Sequence, residues 1–347
     1  MKELFWDIGT TYDLFVSLNV LNHPVQFGLR PSWAAGVRSR LPVAQRQFME
    51  SLSGFFRTPL AWIHDLPVEA KSAAEGVSQL QKIPSASLLT SLTLSAATPL
   101  PIRHTLESIA QSHRATASQK AFLQKNYLMA DVLSEDARNR LVHAWEDPAA
   151  FGDAFKIMLT SYYEHFFAEE EARIQPILSA ALARAQEKAE KVPLGSLLDE
   201  LSHGVQLERV FTQSQIILVP SYWSSPLIIY GPIQRDQVLM LFGCRPDDQT
   251  LIPGDAVPDQ ILGTLKALAD PTRLLMLRYL KAEPQTAAAL SRKLRLRPPT
   301  VTHHLQQLRL AGLVQIFLEP EGEKKYTLRA EALVSTHSML QKYINGN

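Results

Sequence analysis

The segment LRPPTVTHHLQQLRLAGLV, residues 296–314, combines an apolar stripe with short polar side chains. At about 100° per residue, Val301, Leu305 and Leu308 fall on one face of a helix and can be buried. The opposite face carries side chains that donate and accept hydrogen bonds: Thr302, His303 and Gln306. Such side chains on a helix held by its inner face can contact base edges in the major groove of DNA.

Basic and hydroxyl residues flank this face. Arg297 is expected at the N-cap. A cation there destabilises the helix by about 0.5 kcal/mol, because its charge opposes the helix dipole, unless a phosphate lies beside it. Arg297 is therefore either a phosphate contact or a solvated side chain. Thr300 lies in the first turn and is a further candidate for contact with DNA. Lys324 and Lys325 follow in a predicted hairpin, where they either contact DNA or form a solvated pair of charges.

The elements around this helix are marked by capping residues. Asp270 and Pro271 fit the N-cap and N1 positions of one helix, and Thr286 caps the next. Gly312 fits the position just after the end of the polar-faced helix. The segments LVQIFLE and KKYTLR then predict a β-hairpin, followed by a final helix. This order predicts a winged helix-turn-helix over residues 259–347.

The segments LKALADPTRLLMLRYL, LSRKLRLRPPTVTHHLQQLRLAGLV and EGEKKYTL resemble the corresponding parts of ArsR-type repressors. The resemblance covers roughly 80 residues, in which the order, spacing and turn residues agree together. It implies a homodimer formed through the first and last helices of the domain, and repression at a near-palindromic operator. Double-stranded DNA is therefore the expected partner.

Metal-sensing relatives of this type often carry paired cysteines in the helix before the recognition helix. The matching segment here, TAAALSRKL, has alanines, and Cys244 is the chain's single cysteine, flanked by apolar residues. Glu331 and His337 in the last helix are six residues apart and do not share a face. We therefore expect no metal site and no cofactor.

The charge distribution divides the chain. From Gln260 onward there are 13 Lys and Arg against 6 Asp and Glu, a net charge of +7, whereas the preceding 259 residues hold 22 against 28, a net charge of −6. The Pro- and Asp-rich segment near this change of sign predicts a linker over 246–258. Residues 1–245 are predicted to form a mainly helical domain that ends in a short antiparallel β meander after Arg209.

The chemistry of this large domain is open. Glu164, His165 and Glu169 could form a metal or acid/base site, but their spacing also describes the solvated edge of an amphipathic helix. The five tryptophans all lie in this domain and could line a ligand pocket or form core. No phosphate loop, nucleophile elbow or dinucleotide fingerprint is found, so we do not expect an enzyme.

The sequence thus predicts a mainly α protein with small β elements, acting as a dimeric repressor whose N-terminal domain senses an unknown non-metal signal. A small-molecule effector is compatible with this interpretation. The start of the chain lacks the pattern of a signal peptide and no apolar run could span a membrane, so a cytoplasmic location is expected. Two alternatives remain, an enzyme localised to DNA by its winged helix and a winged helix that binds protein.

Overall fold

The computed structural model describes residues 2–27, 29, 31–127, 133–202, 205–207, 213–246, 258–318 and 324–345. Most of the predicted linker, residues 247–257, lies outside this part of the chain, so the linker stays a prediction.

The N-terminal part is built mainly of helices. They are α1 Thr10–Asn22, α2 Pro31–Arg38, α3 Val43–Ser51, α4 Leu60–Asp65, α5 Ala73–Lys82, α6 Ser85–Thr93, α7 Leu100–Ser112, α8 Ala117–Asn126, α9 Glu135–Glu146, α10 Pro148–Tyr162, α11 Ala168–Ala189 and α12 Leu194–Leu201. Short 3₁₀ turns occupy Pro24–Phe27 and Val68–Ala70, and a π-helical turn, Tyr163–Phe167, joins α10 to α11.

Local capping explains where several of these helices begin. The side chains of Ser72 and Ser134 accept backbone N–H groups of the first turns of α5 and α9. Thr116 forms a reciprocal capping box with Gln119 at the start of α8. Each bond satisfies a donor that the helix cannot pair internally, which stabilises the helix by about 1 kcal/mol.

The strands of this part are β1 Glu3–Trp6, β2 Val205–Leu207, β3 Gln215–Ser221, β4 Ile229–Gln234 and β5 Gln237–Gly243. Four of them form one sheet in the order β1-β3-β5-β4. The first three in this order are parallel, and β4 is antiparallel to β5.

The predicted antiparallel pairing holds for β4 and β5, but β3 pairs parallel to β5 instead of antiparallel to β4, so the sheet is mixed. The reason lies in burial. β3 and β5 are buried along almost their whole length, which is typical of parallel strands covered on both faces. β4 is largely half-buried or exposed and occupies the edge. The most buried strands therefore pair with each other, although β4 lies between them in the sequence.

One continuous core connects this sheet to the helices. Trp145 and Trp223 are fully buried in it, and Trp6, Trp33 and Trp62 are half-buried against it. The tryptophans of this part therefore contribute to the core.

The C-terminal part has the order that the sequence predicted. Its elements are α13 Asp259–Leu268, α14 Pro271–Ala282, β6 Gln285–Thr286, α15 Ala287–Leu294, α16 Pro298–Leu310, β7 Val314–Leu318, β8 Lys324–Leu328 and α17 Ala330–Asn345. The side chains of Asp270 and Thr286 cap α14 and α15, and Gly312 has a φ of 68° after α16. A winged helix-turn-helix in a mainly helical chain is thus confirmed.

The antiparallel strands β7 and β8 form the wing hairpin, and the sheet that contains them has a feature that the sequence did not indicate. Its strand order is β2-β7-β8-β6, and β2 comes from the chain before the predicted linker. β2 runs parallel to β7, with Val205 opposite Ile316. The wing hairpin therefore does not leave that edge of β7 unpaired.

Candidate nucleic-acid interface

The inner face of α16 is held by packing. Val301, Leu305 and Leu308 each have 0% of their surface exposed. They belong to a small core that also contains Met276 of α14 and Leu290 of α15. The apolar stripe predicted from the sequence is thus the buried face, and it fixes the rotation of α16 about its own axis.

The outer face of α16 is polar and open to solvent. Thr302, His303 and Gln306 are all exposed, as is Thr300 in the first turn. These side chains can donate and accept hydrogen bonds without displacing any core residue. The structure therefore brings four of the predicted contact residues onto one helix, while their contact with DNA stays a prediction.

Arg297 occupies the N-cap of α16, as the sequence predicted. Its backbone is extended, its side chain is exposed, and it forms no capping hydrogen bond. Pro298 and Pro299 fill the first two helical positions, where a missing N–H costs little. Arg297 therefore lies at the positive end of the helix dipole, where a bound phosphate would be stabilised.

His304 differs from its neighbour His303. Its ring is half-buried and, among the described residues, Nδ1 has no hydrogen-bond partner. Burial lowers the pKa of His304, because the charged imidazolium loses solvation. His304 is therefore placed for packing, and His303 for contact with an external partner.

The two lysines of the wing are not equivalent. Lys324 and Lys325 are successive residues of β8, so their side chains leave opposite faces of the strand. Lys324 is exposed, whereas Lys325 is half-buried and has an interaction of its own within the chain. Of the two, Lys324 is better placed to contact DNA.

Two further cations lie beside the predicted contacts. Arg292, near the end of α15, and Arg295, in the turn before α16, are exposed and form no ion pair with any described residue. Lys293 between them is paired with Glu283 at 3.1 Å. The sequence SRKLRLR carries the signal for these sites, because it places four cations within six residues. Of these four cations, only Arg297 is a contact residue predicted from the sequence.

Potential metal ligands are dispersed. Within the described ranges there is no group of three or more His, Cys, Asp or Glu side chains that could hold a metal ion. Cys244 is buried, which raises the pKa of its thiol because the thiolate would be desolvated.

The acidic cluster of the large domain follows an amphipathic pattern. Glu164, His165 and Glu169 are exposed, while the aromatic residues Tyr162 and Phe166 on the same segment are buried. The alternative of a solvated helix edge thus describes this segment, and the cluster presents no enclosed site.

Comparison with known proteins agrees with this domain. A family described as a helix-turn-helix domain matches residues 268–315. Among solved structures, NolR from Sinorhizobium fredii is similar at 28% sequence identity over 27% of this chain and 94% of that chain, with a TM-score of 0.22. A TM-score this low does not show a shared overall fold. No curated protein matches. The C-terminal part of the chain thus contains a helix-turn-helix domain, a type of domain that supports a role as a DNA-binding regulator.

None of the helices in the described part of the chain is both long enough and apolar enough to cross a bilayer.

Proposed function

We propose that this protein is a sequence-specific transcriptional repressor of the ArsR type. One observation carries the proposal, the division of α16 into a buried apolar face and an exposed polar face. Leu305 is fully buried while the adjacent Gln306 is exposed. A recognition helix needs this division, because packing must hold the helix while polar side chains reach base edges.

Electrostatics support a polyanionic partner. The net charge of +7 after Gln260 contrasts with −6 in the rest of the chain. Arg292, Arg295 and Arg297 are exposed immediately before the recognition helix. Cations at this position can contact phosphates and fix the register of the helix on DNA without reading sequence.

Exposed apolar side chains support a homodimer. Val334 of α17 is 69% exposed and Ile344 is 72% exposed, and Leu333 and Leu265 of α13 are also exposed. Apolar side chains on the first and last helices of the domain fit the interface that the ArsR resemblance implies. A two-fold dimer would place two recognition helices on half-sites of a near-palindromic operator.

The region before the linker would then act as a sensor for a non-metal signal, in a cytoplasmic and non-enzymatic regulator. The pairing of β2 with β7 supplies a physical link between this region and the wing.

Identifying the DNA sequences that the protein binds tests this proposal. Genomic footprinting with the full chain should yield a near-palindromic site, and the protein should prefer that duplex to a scrambled one in competition. The triple variant Thr302→Ala, His303→Ala and Gln306→Ala should lose the preference. Replacing the exposed Lys120 of α8, which lies outside the winged helix, with Ala serves as the control and should keep it. Binding of a protein partner without measurable affinity for any duplex would refute the proposal.

A further inference from the structure

A cavity of about 600 Å³ lies between the N-terminal part and the winged helix. Phe27, Leu29 and Arg245 line it from the N-terminal side. Arg309 and Leu310 line it from the last turn of α16, and Met339 lines it from α17. Its volume is typical of pockets for small molecules. It is therefore large enough for an organic ligand that contacts both parts of the protein.

Arg309 is the cation that α16 contributes to this cavity. Its side chain is half-buried, and among the described residues it has neither an ion pair nor a side-chain hydrogen bond. Burial lowers the pKa of Arg309, since the guanidinium loses solvation and no carboxylate among the described residues pairs with it. A guanidinium in this state would gain from an anionic ligand, because a charge-assisted bidentate pair would replace the lost water.

The other charges around the cavity favour the same sign of ligand. Arg245, Lys266 and Arg329 line it together with Arg309, and Glu331 is the single acid among the described residues of the lining. Among the described residues, the Arg329 guanidinium makes one long hydrogen bond, 3.5 Å, to the carbonyl of Gly312. The positive excess makes an anion the favoured occupant.

The remaining lining is substantially apolar. Leu29 and Phe27 face the cavity from one side, and Leu310 and Met339 from the other. An inorganic anion would not bury the apolar surface of these side chains, whereas a ligand with an apolar body would remove that surface from water. The lining therefore matches a molecule with one acidic group and a hydrocarbon portion.

We propose that this cavity binds a small amphipathic carboxylate, whose acidic group pairs with Arg309 and whose apolar body packs between the two parts of the protein. The carboxylate is then an effector, an assignment that rests on the proposed function in DNA binding. Because Arg309 belongs to the recognition helix, the ligand adds a negative charge to the element that approaches phosphates. We therefore expect the carboxylate to weaken DNA binding, and DNA to weaken carboxylate binding by the same factor.

Direct binding to the full chain tests the site without DNA. Octanoate and phenylacetate serve as probes in calorimetry, with octanamide and phenylacetamide as neutral counterparts. At least one acid should bind and its amide should bind about 10-fold more weakly or not at all. Arg309→Gln should reduce acid binding by a similar factor, while Arg292→Gln, outside the cavity, should not. Failure of both acids to bind, or equal binding by Arg309→Gln, would overturn the proposal.

A second variant keeps the site testable even if Arg309→Gln fails to fold. Gly263 lines the cavity from α13, and a Cβ added there meets no atom within 4 Å. Gly263→Leu should therefore fold, project into the cavity and abolish acid binding. Gly195→Leu is the matched control, because Gly195 is also helical with open space at its Cβ and does not line the cavity. Undiminished acid binding by Gly263→Leu would count against the site.

The two proposals fail separately. Acid binding without any DNA binding would refute the regulator and leave the cavity assignment intact. Selective DNA binding that no acid alters, in a protein that binds no acid, would refute only the effector site. Acid binding at the cavity with at least about 5-fold weaker DNA binding is the result expected if both hold.

Discussion

The carboxylate of Asp13 accepts a hydrogen bond from the backbone N–H of Trp223 at 2.8 Å. The same carboxylate accepts the hydroxyl of Ser221 at 2.7 Å and the N–H of Tyr222 at 3.2 Å. Asp13 lies in the first turn of α1, so these bonds tie that helix to the end of β3. The side chain is completely buried, and burial raises the pKa of Asp13 to about 6 because it disfavours the charged form.

This raised pKa predicts a pH-dependent stability. The folded state binds the Asp13 proton more tightly than the unfolded state, whose pKa is near 3.8. The resulting stabilisation of the folded state is fully present below about pH 4 and is lost as the pH rises through about 6. It amounts to about 3 kcal/mol. Denaturant unfolding at several pH values between about 4 and 6 measures the free energy of unfolding. The free energy of Asp13→Asn should lack this pH dependence, whereas that of Asp153→Asn, at an exposed site, should retain it. Identical pH profiles for the wild type and Asp13→Asn would contradict the assignment.

Leu305→Ala should destabilise the winged helix by about 2 to 5 kcal/mol, because it leaves a cavity under α16. The affinity for DNA of any sequence should fall, since the recognition helix α16 loses the packing that holds it in position. Thermal and denaturant unfolding measure the stability, and Gln306→Ala is the adjacent control that should leave it within about 0.5 kcal/mol. Wild-type stability in Leu305→Ala would show that the buried face is misassigned.

Gln306→Ala should cost about 1 to 3 kcal/mol on the true operator and relax the preference at one base pair. Its affinity for a scrambled duplex should barely change, because the exposed amide reads a base edge and supplies no phosphate charge. Competition on the two duplexes measures this difference. An equal loss on both duplexes would place Gln306 outside direct base readout.

Arg297→Ala and Lys324→Ala should weaken binding to all duplexes alike. Each should also reduce the slope of log affinity against log salt by about one, if each side chain contacts one phosphate. Titrations between about 50 and 200 mM salt give the slopes, with Lys293→Ala as a control whose cation is already paired with Glu283. An unchanged slope for Arg297→Ala would favour the solvated interpretation of that residue.

Zinc and arsenite should not release the protein from its operator at stoichiometric concentrations. The α15 segment carries alanines where thiolate ligands would be needed, and the thiol of Cys244 is buried. DNA binding in the presence of each metal, compared with a chelator, checks this point. Tight stoichiometric binding coupled to release would reveal a metal site.

The winged helix can be predicted from the amino-acid sequence, because its signals are local. Asp270 and Thr286 cap helices through bonds within one turn, and Gly312 takes the positive φ that a residue without a Cβ adopts easily. The spacing of Val301 and Leu305 fixed the buried face of α16, since helical periodicity decides which side chains lie together. The exposed contact face followed from the same periodicity.

Tertiary structure alone decided the features that join distant parts of the chain. Local patterns identified β3, β4 and β5 as strands, but burial on both faces decided that β5 lies between β3 and β4. The pairing of β2 with β7 and the cavity at Arg309 likewise depend on how separate segments meet. A strand carries no local record of its partner, because backbone hydrogen bonds between strands are the same for any sequence.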